Sequence, residues 1–387
     1  MKKFFVVLSV VLLAFTGSSP VWATSPQELA RQQLEQIDLA EIEAFWHELQ
    51  EETEEYLPEI NFATILEWFR GGQEVSLGEV FTGLWRFLWR ELYLNLNLLG
   101  KLLFLAVVAA LLKNLEKAFA NENIAGLTQA IIYLALIVIA MQSFSAAVAL
   151  GRETVNKMAD LILAVIPLLL ALLAALGSLA SAAIFRPLIV FAVNFFASLT
   201  RDAVFPLIYL TTILSLVNHF SPRVTVSKLA ELLKNVAVWG MGLSMTIFVG
   251  LMTVHGVASS VGDAVTIRTA KFAAGAFLPV VGGLLSDAVE TVAGATLILK
   301  NAVHVAGVFI LFALVIFPLI KILALVFIYK LAAALIQPLG DTSLCDSLNT
   351  MGNCLALVFA AVAVVSIIFY LGITIIAGAG NASFMLR

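Results

Sequence analysis

The chain has 387 residues, of which 61% are hydrophobic and only 12% charged, with a formal net charge of −4. Globular domains run at roughly 45–50% apolar and about 25% charged, so a water-soluble particle of this composition could not cover its own surface, and the bilayer is its solvent. The charge is unevenly placed: Thr24 to Asn97 carries 15 acidic and 4 basic residues, and everything beyond carries 11 acidic and 16 basic. The acidic block repels nucleic acid and anionic headgroups alike, which excludes nucleic acid as a partner.

Lys2 and Lys3 precede a short apolar run from Phe4 to Phe15, which Ser18, Ser19 and Pro20 break before Val21-Trp22-Ala23. Charged n-region, short h-region and small-residue site are the order of a secretory signal peptide, and cleavage is expected after Ala23. A short uncleaved anchor is the alternative. Either form delivers residue 24 onward to the extracytoplasmic side.

Residues 24–95 read as an acidic extracytoplasmic helical region. Ser25-Pro26-Gln27-Glu28 has the form of a capping box with proline at the first helical position. Leu29, Leu34, Ile37, Ile42, Phe45, Trp46 and Leu49 recur at helical spacing, with glutamates filling much of the remainder. Ser76 with Glu79 opens a second helix, striped by Val80, Phe81, Leu84, Trp85, Leu88, Trp89 and Leu92. Trp85, Trp89 and Tyr93, with Arg86 and Arg90, suit a headgroup-level helix leading into the first span. The region reads equally as a helical cap on the bundle and as a docking surface for an exported partner.

From about residue 98 the chain is a series of apolar runs, and the fold class is an all-α, polytopic membrane protein. A span needs about 20 residues, and several runs are shorter. Pairs split at Thr200-Arg201-Asp202 and at Pro318 with Lys321 therefore read as discontinuous or re-entrant helices. Cys345 falls in a late polar loop and Cys354 at the start of the following run, and they read as ordinary small residues, with a disulfide as the alternative. Ala171, Ala174, Ala175, Gly177, Ser178, Ala180 and Ser181 form a small-residue surface for close helix approach, and Gly240, Gly242, Gly250 and Gly256, then Gly282, Gly283 and Gly294, read the same way.

An internal repeat is visible. Pro167 precedes Pro279 by the same offset that separates Phe205-Pro206-Leu207-Ile208 from Phe317-Pro318-Leu319-Ile320, and Thr154-Val155 from Thr266-Ile267. Duplicated halves are common in membrane transport folds. The division that follows is 1–23 signal peptide, 24–95 acidic region, 96–231 and 232–345 membrane repeats, and 346–387 a C-terminal transmembrane segment and tail. Loop charge places Lys113, Lys117, Arg186, Arg223, Lys228 and Lys234 inside and a loop with Arg152 and Lys157 outside. The repeats are then parallel if 187–218 is a hairpin, and inverted if it is one long span.

The sequence holds no His-Glu-x-x-His, no G-x-S-x-G and no phosphate-cradling G-x-x-x-x-G-K. The chain is therefore not its own ATPase, and no metal or cofactor is called for. His255 and His304 read as hydrogen-bonded bundle histidines, with a proton relay as the alternative. Charges inside apolar runs weigh more, because lipid penalises them. Lys101 and Lys330 snorkel in the plain reading. Arg201, Asp202, Asp287, Glu290 and Lys321 are the candidate residues of a polar pathway or subunit seam, Asp287 and Glu290 sharing one helical face.

KLAELLKNVAVWGMG at 228–242 and GVASSVGDAVTIRTAKFAAGAFLPVVGGLLSDAVETVAGATLILKNAV at 256–303, together with the whole layout, resemble the stage III sporulation protein AE family of endospore-forming bacteria. The resemblance implies a non-enzymatic subunit of a channel or secretion-like complex, a feeding tube between mother cell and forespore that supports late forespore gene expression. It further implies a site in the mother-cell-derived outer forespore membrane, beside ring-forming membrane proteins and a secretion-type ATPase. Membrane lipid is a partner in either case, and a homo-oligomer is compatible with the pattern. A stand-alone secondary transporter with duplicated halves is the alternative, and an intramembrane enzyme lacks any nucleophile–base pair.

Overall fold

The computed structural model describes residues 29, 44–47, 77–119, 122–220, 226–277, 282–340 and 342–385, with the side chains of 77, 113–130, 219–220, 256–290 and 380–385 left outside that set. The signal peptide, its cleavage after Ala23, the capping box at Ser25 and most of the acidic region lie outside the described residues. So do the side chains of Lys113, Lys117, Asp287 and Glu290, and all of Arg223.

The described chain is entirely helical. Helix α1 (Leu77–Leu94) runs into α2 (Leu96–Phe119) through Asn95, whose N–H bonds to the Glu91 carbonyl and whose own carbonyl accepts from Leu99, both at 3.1 Å. The aromatic helix thus continues into the first span as one rod, where a separate helix lying at headgroup level was expected. Trp85, Trp89 and Tyr93 remain exposed on it. Its other face packs lengthwise on a later helix, Gly282–Ile336, through Phe87 and Phe317, edge to face at 4.8 Å.

Helix α3 (Glu122–Ala175) is 54 residues long. Leu176, Gly177 and Ser178 turn it back, Gly177 with φ 86°, a left-handed conformation that glycine adopts at no steric cost. Helix α4 (Leu179–Ser198), a π-helical turn (Leu199–Val204) and α5 (Phe205–Phe220) follow without a break. Then come α6 (Ser227–Phe277), α7 (Gly282–Ile336), a 3-10 turn at Gln337–Leu339 and α8 (Thr342–Met385). Six of these helical stretches are long and apolar enough to cross a membrane.

Two expectations are corrected. Thr200-Arg201-Asp202 does not interrupt a pair of helices; it widens one helix by a π turn, and such single-turn bulges keep the hydrogen-bond ladder going. Pro318 likewise lies inside continuous α7, as Pro167 and Pro187 lie inside α3 and α4, since a packed bundle re-satisfies the carbonyls that proline strands. Second, Arg152 and Lys157 sit within α3 and not in a loop, and Lys157 pairs with Glu153 one turn back at 3.2 Å. Cys345 is also helical, inside α8, and both cysteines are free.

The main core cluster runs the length of α3, α7 and α8, with the smaller one at Phe87 and Phe317 beside it. Ser143 on α3 meets Tyr329 on α7, and Val165 packs against Gly307. Both contacts fit a single antiparallel register, in which Gly151 on α3 lies level with Lys321 on α7. Helix α4–α5 also returns against α3, so the stretches holding Phe205-Pro206-Leu207-Ile208 and Phe317-Pro318-Leu319-Ile320 run the same way. A single 187–218 span had implied inverted halves. These two segments run parallel because residues 122–175 form one long helix, α3, which removes a crossing.

Gly240, Gly242 and Gly250 face open space, contrary to the expected close packing. The close approaches are at Gly151, against Phe205, Val358 and Val362; at Gly307, against Val165; and at Gly352, against the aliphatic stem of Lys330.

Candidate functional site

The polar groups of the bundle gather at three levels. The middle level is charged and faces outward. Arg201 on the π turn forks onto Asp202 through Nε and Nη2 at 2.8 and 2.9 Å, and its Nη1 donates to Asn156 of α3 at 3.2 Å. Arg152 lies within electrostatic reach of Asp202. Glu153, Lys157 and Asp160 continue the strip along α3. On the opposite flank and at the same level, Lys321 of α7 faces Glu91 of α1, which also feels Arg90. Arg201 and Asp202 are thus brought together as a pair, and Lys321 lies apart from them, within electrostatic reach of Glu91. Asp287 and Glu290 lie on α7, their side chains outside the described residues.

A second group lies towards the α3–α4 turn. Lys300 is fully buried and its Nζ donates to the main-chain oxygen of Ala377 at 2.6 Å. One turn on, His304 Nε2 lies 3.4 Å from the Thr374 hydroxyl. Both contacts tie α7 to α8. In the sequence Lys300 closes the moderately polar, Gly-rich stretch 282–300 that also holds Asp287 and Glu290, and its burial is a tertiary fact.

The third group lies at the opposite end, where α5 meets α6 and α7 meets α8. Tyr133 donates to the Leu216 carbonyl at 3.1 Å and meets the Ser347 hydroxyl at 2.8 Å, joining α3, α5 and α8. Lys330 donates to the amide oxygens of Asn349 and Asn353 at 2.6 and 2.5 Å. Lys330 therefore has protein partners, beyond the snorkelling expected of it. Lys228 and Lys234 also belong to this end.

Among the described residues no three histidine, cysteine or acidic side chains come together as a metal site. Helices of this length, apolar inside and out, with charge confined to levels, define a multi-pass α-helical membrane protein. A family model described as stage III sporulation protein AE matches residues 60–380. A relative named stage III sporulation protein AE, from Bacillus subtilis (strain 168), is 37% identical over the whole of both chains. The chain belongs to the stage III sporulation protein AE family. No solved structure matches it.

Proposed function

We propose that the chain is a non-enzymatic, multi-pass subunit of a sporulation channel or secretion-like complex between mother cell and forespore, one that needs neighbouring proteins to complete its surface. The observation that carries this reading is a mismatch of length. Helix α3, at 54 residues, is about 80 Å long at ~1.5 Å per residue, and α8, at 44, about 65 Å, against about 30 Å of hydrocarbon. The exterior is apolar on both sides of the charged level: Phe191 and Val292 are exposed on one side, Leu210 and Phe327 on the other. One bilayer covers one of these halves, and the other is left for protein. Part of that cover comes from this chain, since Trp46 lies against Phe309 at 6.0 Å and Leu29 and Phe45 pack on the same core.

The orientation that fits puts the end bearing Lys228, Lys234 and Lys330 in the cytoplasm, by the positive-inside rule, and leaves Arg186, next to the α3–α4 turn, on the other side, contrary to the expectation from loop charge. The charged middle level, with Trp85, Trp89 and Tyr93 beside it, then sits at the outer headgroups, the α3–α4 turn projects beyond, and residues 24–95 are assigned to that extracytoplasmic side. By family resemblance the membrane is the outer forespore membrane and the partners are ring-forming membrane proteins and a secretion-type ATPase. The parallel run of the two segments with matching strings supports a duplicated, permease-like core, with 96–231 and 232–345 as its halves and 346–387 as the closing span.

Crosslinking in sporulating cells followed by affinity recovery tests this. Partner membrane proteins are expected on the half bearing Phe191 and Val292. A chain recovered alone, and moving a solute when reconstituted by itself, would sink the proposal in favour of a stand-alone transporter.

A further inference from the structure

We propose that the basic end of the bundle holds one anionic glycerophospholipid, its phosphate in a polar cavity between α5, α6 and α8 and its acyl chains along the outer face of α6. The cavity has a volume of about 340 Å3, and among its lining residues are Thr211, Asn218, Lys234, Thr350, Asn353 and the buried Cys354. That is large enough for a glycerol-phosphate headgroup, since small-molecule sites begin near 300 Å3. It opens beside a groove of about 640 Å3 lined by Leu232, Val236, Trp239 and Leu243, with Glu231 common to both.

The charges select the ligand. Glu231 is already matched by Lys228, Nζ to Oε2 at 2.9 Å. Lys234, one turn along α6, and Lys330, reached through Asn353, remain as positive charge around the cavity. Because Lys330 takes the amide oxygen of Asn353, the NH2 is the group left to Asn353 as a donor at the cavity it lines. A phosphate diester meets an ammonium and a set of neutral donors there, which is how basic pockets at the cytoplasmic ends of membrane helices take anionic headgroups. The groove supplies the other half of the amphiphile. Trp239 is 77% exposed, two turns from Glu231, and Gly240, which also lines the groove, leaves open space beside it. An indole at that depth, with bare backbone beyond, suits an ordered acyl chain.

The test uses the full-length protein, stripped of lipid in detergent and titrated with phosphatidylglycerol, phosphatidylcholine or inorganic phosphate. Adducts are counted by native mass spectrometry. Phosphatidylglycerol is expected to bind singly, at about fivefold lower concentration than phosphatidylcholine or better, from the loss of one near-surface charge contact. Lys234→Met should erase that preference, and Lys234→Arg should keep it. Trp239→Ala should weaken both lipids. Equal binding of the two lipids overturns the proposal, as does a preference that survives Lys234→Met. Binding of free phosphate with lipid-like affinity would make this an anion site without a groove. A Trp239→Ala variant that loses dimers and keeps its lipid would give the groove to a second copy of the chain. Either result rejects the lipid.

Discussion

The ammonium of Lys300 donates to the main-chain oxygen of Ala377 over 2.6 Å, and the side chain that carries it is fully buried between α7 and α8. A buried charge survives only with a partner, and the carbonyl is one. The four-carbon stem also fills space, and the two contributions separate by substitution. Lys300→Met keeps the volume and is expected to cost at most about 1.5 kcal/mol. Lys300→Ala leaves a cavity and is expected to cost about 2–5 kcal/mol. Denaturant unfolding in detergent micelles measures both. If methionine is as damaging as alanine, the hydrogen bond and not the packing holds the two helices together.

The glycines separate just as cleanly. A methyl group at Gly151 would stand 3.1 Å from the Phe205 ring and 3.3 Å from Val358 and Val362, so side chains on two neighbouring helices, α5 and α8, must yield to admit it. Gly151→Ala is expected to destabilise by about 1–3 kcal/mol. Gly242 has nothing near its missing Cβ, and Gly242→Ala should stabilise α6 by up to about 1 kcal/mol through helix propensity alone. The two unfolding midpoints should move in opposite directions.

Arg201 and Asp202 are half-exposed at 38% and 57%, so as a pair in an aqueous micelle they contribute little. Arg201→Ala should change the stability of the isolated chain by less than about 1 kcal/mol. If this level meets a neighbouring subunit, the same substitution should lower crosslinked partner recovery severalfold. A variant that unfolds in micelles yet assembles normally would assign the pair a purely internal role.

Which features were legible in the sequence follows from how local their causes are. The apolar runs at 236–258 and 354–378 stand out by composition, and both lie in long helices. Arg152 and Lys157 look like a loop because they interrupt hydrophobicity. The interruption is satisfied within the helix by Glu153 and across to Arg201 by Asn156, which composition does not display. Thr200-Arg201-Asp202 looks like a break for the same reason, yet it contains no proline or glycine, and a π turn absorbs it. Gly240 and Gly242 have the spacing of a packing motif, and only the placement of α6 at the edge leaves that face open. Lys300 and Lys330 look alike in sequence. One ends on a carbonyl deep in the bundle and the other on two asparagines near its end, a difference made entirely by tertiary contacts.

The link between α3 and α7 gives a test that does not depend on membrane orientation. The hydroxyl of fully buried Tyr329 lies 2.6 Å from that of Ser143 and 2.5 Å from the Ala140 carbonyl, which is itself 3.0 Å from the Ser143 hydroxyl, so two protons serve three close contacts. Tyr329→Phe takes one hydrogen bond from two oxygens, the Ser143 hydroxyl and the Ala140 carbonyl, each of which keeps the other, and is expected to cost about 0.5–1.5 kcal/mol. Ser143→Ala removes one of those oxygens, so the double variant should be less damaged than the sum of the single ones, by about 0.5 kcal/mol or more. A double-mutant cycle from denaturant unfolding reads this coupling. Strict additivity would mean that the two hydroxyls do not meet, and the α3–α7 register that sets Gly151 level with Lys321 would lose one of its two contacts.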